Sequence, residues 1–219
     1  MNGAIIWDMD GTISDTQSLH AKVESELLSR YDIHLTPDEI TAKYAGRKTS
    51  EFFVELLEAK GAKGYDVNAL MAEKWEIATR HLDDIKAMPG VERLIKHACR
   101  NSIPQAVASA SGSRYVAHVL ERLEVRGYLN AVVSGDQVSK GKPDPEIFLE
   151  AASRMGVNPL CCVVIEDGVA GMIGAKAAGM RVIAFSNDLQ RDYPVDLVVN
   201  DFRQLKLYDI LNVWGRKNG

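Results

Sequence analysis

Apolar residues along the 219-residue chain fall into two regimes. Short unbroken runs stand at Ala4-Ile5-Ile6-Trp7, Gln105-Ala106-Val107-Ala108, Ala131-Val132-Val133, Cys162-Val163-Val164-Ile165, Arg181-Val182-Ile183-Ala184-Phe185 and Leu197-Val198-Val199. Runs without polar alternation mark strands buried on both faces. Helices are predicted between them over about 91–100, 113–123, 145–155 and 169–178, and a last one over about 202–214. Strands alternating with helices predict a parallel sheet covered on both faces, with right-handed crossovers.

The second regime is helical and fills about residues 17–85, between the first run and the rest. Thr36-Pro37-Asp38-Glu39 carries a helix start: a capping hydroxyl, proline at the first helical position, then acids. Thr49-Ser50-Glu51 before Phe52-Phe53-Val54 reads as another start, and Asn68 as the cap of a third helix. The predicted fold is α/β, a doubly wound parallel sheet with an inserted helical cap domain. Residues 1–16 and 87–219 would form the core and 17–86 the cap, with hinges near Asp15–Ser18 and Asp84–Pro89. In such sheets chemistry sits beyond the carboxyl ends of the strands.

A net charge of −4 without a Lys/Arg block offers no electrostatic footprint for nucleic acid. No apolar run approaches the roughly 20 residues of a membrane helix. The start, Met1-Asn2-Gly3-Ala4, lacks the basic and apolar regions of a secretory signal, so the cytoplasm is expected. Three cysteines, Cys99, Cys161 and Cys162, show no metal spacing, and Cys161 and Cys162 are expected as small core residues. His34, His81, His97 and His118 are expected at the surface, and Trp7, Trp75 and Trp214 in cores.

The strand ends carry the candidate chemistry. The first ends at Asp8 with Asp10 two residues on, and the next at Ser109-Ala110-Ser111. Another leads to Lys140-Gly141-Lys142-Pro143, and one ends at Glu166-Asp167. Asp-x-Asp-Gly alone also suits a plain turn, and acids favour helix starts. Converging carboxylates repel one another unless a divalent cation neutralises them, and hard oxygen ligands favour Mg²⁺. Carboxylates, Mg²⁺, a lysine and a serine together suit phosphoryl transfer.

The chain resembles the haloacid dehalogenase superfamily, in the branch with a helical cap after the first motif. Asp8-Met9-Asp10-Gly11-Thr12 resembles the first motif, Ser109 the second, Lys142 the third and Glu166-Asp167-Gly168-Val169-Ala170-Gly171 the fourth, with Gly168 where serine is usual. The resemblance implies Asp8 as nucleophile and Asp10 as general acid and base. It implies Mg²⁺ on the Asp8 carboxylate, the Asp10 carbonyl and Asp167, with Glu166 acting directly or through water. Ser109 and Lys142 would bind phosphoryl oxygens, helped by backbone N–H groups around Gly11. Gly171 and Gly174 are expected to allow close packing of helix on sheet.

Within the branch the chain is similar to β-phosphoglucomutase and its sugar-phosphate phosphatase relatives. That likeness places His20 near Asp10, makes Gly46-Arg47-Lys48 the cap's substrate loop, and offers Lys74 as a further cap contact. The mutase has an arginine where Thr49 stands, three residues after Gly46. The expected function is a Mg²⁺-dependent phosphatase of a small phosphorylated metabolite such as a sugar phosphate, acting as a monomer. A phosphoglucomutase and a non-catalytic phosphate-binding regulator are the alternatives.

Overall fold

The computed structural model describes residues 3–81, 85–188 and 192–215. In chain order, β1 (Ala4–Trp7) is followed by α1 (Gln17–Ser29), α2 (Pro37–Tyr44), α3 (Thr49–Lys60) and α4 (Val67–Thr79). Then come α5 (Val91–Arg100), β2 (Gln105–Ser109), α6 (Ser113–Arg122), β3 (Ala131–Ser134) and α7 (Glu146–Met155). The chain continues through β4 (Cys162–Glu166), α8 (Val169–Ala177), β5 (Arg181–Phe185), β6 (Leu197–Val199) and α9 (Leu207–Gly215).

The strands form one sheet in the order β3-β2-β1-β4-β5-β6, every neighbouring pair parallel. β1 is apolar throughout because both of its faces are covered. Ile5 and Trp7 pack with residues of α5, α6 and α9, while Ala4 and Ile6 pack with residues of α7 and α8. Each fully buried Ile or Val contributes roughly 1.5–3 kcal/mol relative to exposure. The Trp7 indole finds its partner in Gln105 Oε1 at 3.0 Å, a buried polar pair satisfied within the sheet.

The helices α1 to α4 have an apolar cluster of their own, centred on Leu27, Leu28, Phe52, Phe53 and Leu57. Thr36 caps α2 as its sequence predicts: its Oγ1 accepts from the Glu39 amide at 3.2 Å, and Glu39 accepts from the Thr36 amide at 2.9 Å. The cap of α4 is Asp66, not Asn68. Asp66 Oδ1 accepts from the amides of Asn68 and Ala69 at 2.9 and 3.3 Å.

The two connections between this helical group and the sheet run side by side. Ser14 bridges Ala87, and the Asp15 amide donates to the Lys86 carbonyl at 2.9 Å. The second expected hinge begins at Asp84, which lies outside the described residues. Three further expectations are corrected. Cys161 is exposed, because it closes a 3₁₀ turn before β4, whereas Cys162 is buried. His118 is half-buried. Gly174 lies against the Pro143 and Asp144 carbonyls rather than the sheet. No helix among the described residues is long and apolar enough to cross a membrane.

Candidate active site

The sheet order puts the switch point beside β1. From there β2 and β3 lie to one side and β4 to β6 to the other. The crevice this opens lies beyond the ends of β1, β2 and β4, where Asp8, Ser109 and Glu166-Asp167 stand. Lys142 arrives from the loop before α7 and is fully buried.

Lys142 ties the cluster together. Its Nζ donates to Asp8 Oδ1 at 2.7 Å, to Glu166 Oε2 at 2.8 Å and to the Ala108 carbonyl at 3.0 Å. An ammonium has three hydrogens, so all are committed. Lys142 is thus bound to both Asp8 and Glu166, and would meet a further oxygen only by sharing a hydrogen. Burial would lower its pKa, but the carboxylates of Asp8 and Glu166 outweigh burial and hold it above the usual lysine range. Glu166 is held at both oxygens, because Oε1 accepts from the Gly168 amide at 3.0 Å.

Asp8, Glu166 and Asp167 each bring an oxygen within 4.8 Å of the others, the spacing of a divalent-cation site. Asp167 Oδ1 is buried with no hydrogen-bond partner, the feature expected of an oxygen kept for a cation. Burial, then the Glu166 charge, push the Asp8 carboxyl up to about 8 despite Lys142. Burial, then the Asp8 and Glu166 charges, raise Asp167 well above the usual range. Three hard oxygen donors with excess negative charge fit Mg²⁺. Gly11 makes room for this arrangement. At φ +89° it adopts a left-handed conformation, and a Cβ there would stand 2.2 Å from Asp167 Oδ2. Its amide donates to the Ser14 carbonyl at 2.8 Å.

Asp10 occupies a separate hydrogen-bond cradle. Its Oδ1 receives the Thr16 hydroxyl at 2.5 Å and His20 Nε2 at 2.9 Å. Its Oδ2 receives the Ser111 hydroxyl at 2.6 Å, with Ser109 Oγ at 3.3 Å. Burial alone would raise Asp10; the His20 charge and the bonds from His20, Ser111 and Thr16 outweigh it and hold the carboxyl far below the usual range. Since an ionised carboxylate only accepts, His20 Nε2 carries the proton. The His20 ring is held edge-on by Trp75 and Tyr115, with centroids at 5.7 and 5.1 Å.

A cavity between sheet and helices takes Asp8, Asp10 and Ser111 from below and His20, Gly46, Arg47 and Lys74 among others from above. Its volume is about 40 Å³, room for a few waters. Gly46 faces Glu166 and Gly168. Arg47 borders the cavity, yet its guanidinium pairs with Glu55 at 2.8 Å. Lys48 lies outside it and reaches the Val138 carbonyl at 3.4 Å. A Cβ on Gly168 would stand 2.7 Å from the Ala45 carbonyl oxygen, so the absent serine side chain leaves the space in which this loop sits.

Sequence reading did not single out Glu24, and left Thr16 and Ser111 without a role. Ser111 stands two residues after Ser109, and Glu24 stands one helical turn after His20 on α1, which is the local signal that could have found them.

The sequence model of the haloacid dehalogenase-like hydrolases matches residues 5–185. The chain is similar to fructose-1-phosphate phosphatase YqaB of Escherichia coli K12, 37% identical over 182 residues, 82% of this chain and 94% of that protein. It is 30% identical, over 94% of its length, to a bifunctional riboflavin kinase/FMN phosphatase of Arabidopsis thaliana, of which it spans about half, 55%. Among solved structures, β-phosphoglucomutase of Clostridium difficile matches with TM-score 0.86 at 27% identity, over 98% of each chain. The chain belongs to the haloacid dehalogenase-like hydrolase family, in its β-phosphoglucomutase-like branch.

Proposed function

We propose that the protein is a Mg²⁺-dependent phosphatase of a small phosphorylated metabolite, with Asp8 as the nucleophile. The observation that carries this reading is the convergence of Asp8, Glu166 and Asp167 round one point, with Lys142 bonded to Asp8. Mg²⁺ held by Asp8, Asp167 and the Asp10 carbonyl would neutralise phosphoryl charge and keep Asp8 ionised.

An Asp8 oxygen attacks phosphorus, and the bond from phosphorus to the ester oxygen breaks as the aspartyl phosphate forms. Asp10 gives a proton to the departing alkoxide, then takes one from the water that cleaves the aspartyl phosphate. In the structure Asp10 stands in its base form, cradled for the second half of that sequence. His20 in its imidazolium form would supply the proton of the first half from Nε2 to Asp10 Oδ1 and remain a neutral imidazole protonated at Nδ1. Lys142 offsets charge on the phosphoryl group, and Ser109 lies beside it. A cavity this small supports the expectation that α1 to α4 swing away to admit substrate. One chain supplies both walls, which supports a monomer.

Likeness to the fructose-1-phosphate phosphatase supports a sugar phosphate as substrate. Likeness to β-phosphoglucomutase favours the mutase as second reading, separable by an assay for glucose 6-phosphate formed from β-glucose 1-phosphate. Release of phosphate from p-nitrophenyl phosphate and a panel of sugar phosphates tests the proposal. Turnover that needs Mg²⁺ is expected, and none with any ester would end the reading.

A pH dependence follows from the Asp8 carboxyl, raised from 3.8 to about 8. Without a cation the folded chain keeps a proton there that the unfolded chain sheds above 3.8. Stability from this group is therefore full below that value and is lost as pH rises through about 8. A cation removes the penalty, so the rise in thermal midpoint on adding Mg²⁺ is expected to be larger at about pH 8 than at about pH 6. Thermal scans with and without Mg²⁺ at the two values check it; a rise that shrinks with pH contradicts it.

A further inference from the structure

His20 hangs by a single hydrogen bond. Its Nε2 meets Asp10 Oδ1 at 2.9 Å, while its Nδ1 is buried and has no hydrogen-bond partner among the described residues. A histidine that moves protons is ordinarily oriented by a second group on its other nitrogen, which fixes ring and tautomer together. Held at one nitrogen only, the imidazole can pivot, and a pivot takes Nε2 off the Asp10 oxygen.

Aromatic rings confine it instead. Trp75 on α4 meets the His20 ring with centroids 5.7 Å apart and planes at 83°, and Tyr115 on α6 does so at 5.1 Å and 70°. The two walls brace each other, since their own rings stack at 5.3 Å and 28°. Tyr115 Oη is buried and has no partner, so the ring is what this residue brings to the contact. Trp75 is steadied in turn by Lys74 Nζ, 4.3 Å from its ring centroid. That ammonium is fixed by Glu24 Oε1 at 2.6 Å and Thr49 Oγ1 at 2.5 Å. Gly112 leaves the indole its space, because a Cβ there would stand 3.3 Å from Trp75 Nε1.

We propose that Trp75 and Tyr115 are positioning residues for proton delivery, a clasp that keeps the His20 ring turned so that Nε2 stays on Asp10 Oδ1. The inference rests on the phosphatase reading, in which that proton reaches the departing oxygen through Asp10. One wall rides on α4 and the other on α6, beside the sheet. The clasp therefore exists only while those helices are seated together, and the acid is aligned only then.

The test uses two esters of nearly the same shape. Phenyl phosphate has a far more basic leaving oxygen than p-nitrophenyl phosphate and so depends far more on an acid. The ratio of their kcat/KM values, p-nitrophenyl over phenyl, reports the acid. Trp75→Leu and Tyr115→Leu are expected to raise this ratio by about tenfold, part of the 10²–10⁴ that acid–base catalysis supplies. Trp75→Phe and Tyr115→Phe keep a ring and should leave it within about threefold of the parent. His20→Gln should raise it at least as far as Trp75→Leu, and combining the two should raise it no further, because the tryptophan acts only through the histidine. A purely structural role lowers both esters alike and leaves the ratio unmoved, which overturns the inference. So do additive effects in the double variant, failure of the phenylalanine variants to rescue, or a parent that cleaves the p-nitrophenyl ester but not the phenyl ester. If the leucine variants do not fold, Gly112→Val, which crowds the indole and touches neither His20 nor the ester, decides by the same ratio. No parental turnover of either aryl ester or of any sugar phosphate sinks the phosphatase reading, whereas turnover of both aryl esters with an unmoved ratio sinks only this inference.

Discussion

Asp8→Asn is expected to stop phosphate release, lowering kcat by at least about a thousandfold, as loss of a nucleophile does elsewhere. The amide oxygen is uncharged and a poor nucleophile, so no aspartyl ester forms. The fold should survive the change. Asparagine keeps the shape of aspartate and still offers an oxygen to Lys142 Nζ, which lies 2.7 Å from Asp8 Oδ1. The parent carboxyl is pushed up to about 8 chiefly by burial, so ionising it in this place is costly. Without Mg²⁺ the variant should therefore melt no lower than the parent, and the increment from added Mg²⁺ should shrink. A phosphate-release assay and thermal scans on the same preparation check both halves. Residual turnover near the parental rate would mean that another group attacks phosphorus.

Lys142→Met carries the largest expected loss of stability, about 3–5 kcal/mol at neutral pH. Methionine fills a similar volume but removes the ammonium that faces both Asp8 and Glu166. The Glu166 carboxylate, and Asp8 wherever it is ionised, is then left without its partner, and the Ala108 carbonyl loses its donor as well. Protonation of one carboxyl recovers part of the loss. The deficit should therefore be smaller in mild acid and should also narrow when Mg²⁺ is present. Urea unfolding at two pH values measures it. Activity should fall by about a hundredfold or more where the fold persists, since a cation aimed at developing charge is gone. A variant as stable as the parent would show that Lys142 does not hold the two carboxylates.

The sheet was readable from the chain because its strands are buried on both faces. Ala4-Ile5-Ile6-Trp7 and Cys162-Val163-Val164-Ile165 lack any polar alternation, and each is followed by a helix. The acids of the site were readable for a related reason, since Asp8, Asp10, Glu166 and Asp167 each sit one to three residues past such a run. The cap of α4 was not. Asp66 and Asn68 both suit an N-cap, and only the backbone decides which of two neighbours turns its oxygen to the amides. Cys161 and Cys162 look alike in sequence, yet one closes a turn and the other begins β4. Glu24, Thr49 and Lys74 were the hardest to read together. They stand on three different helices, 25 residues apart at each step, so no local spacing links them. Their meeting is a product of tertiary packing.

Gly168 carries a consequence for how the enzyme shuts. With no side chain there, the roof over the reaction chamber comes to rest peptide against peptide, Ala45 on the start of α8. A side chain added at position 168 would meet the Ala45 carbonyl first and is expected to prop the lid ajar, letting bulk water into the crevice.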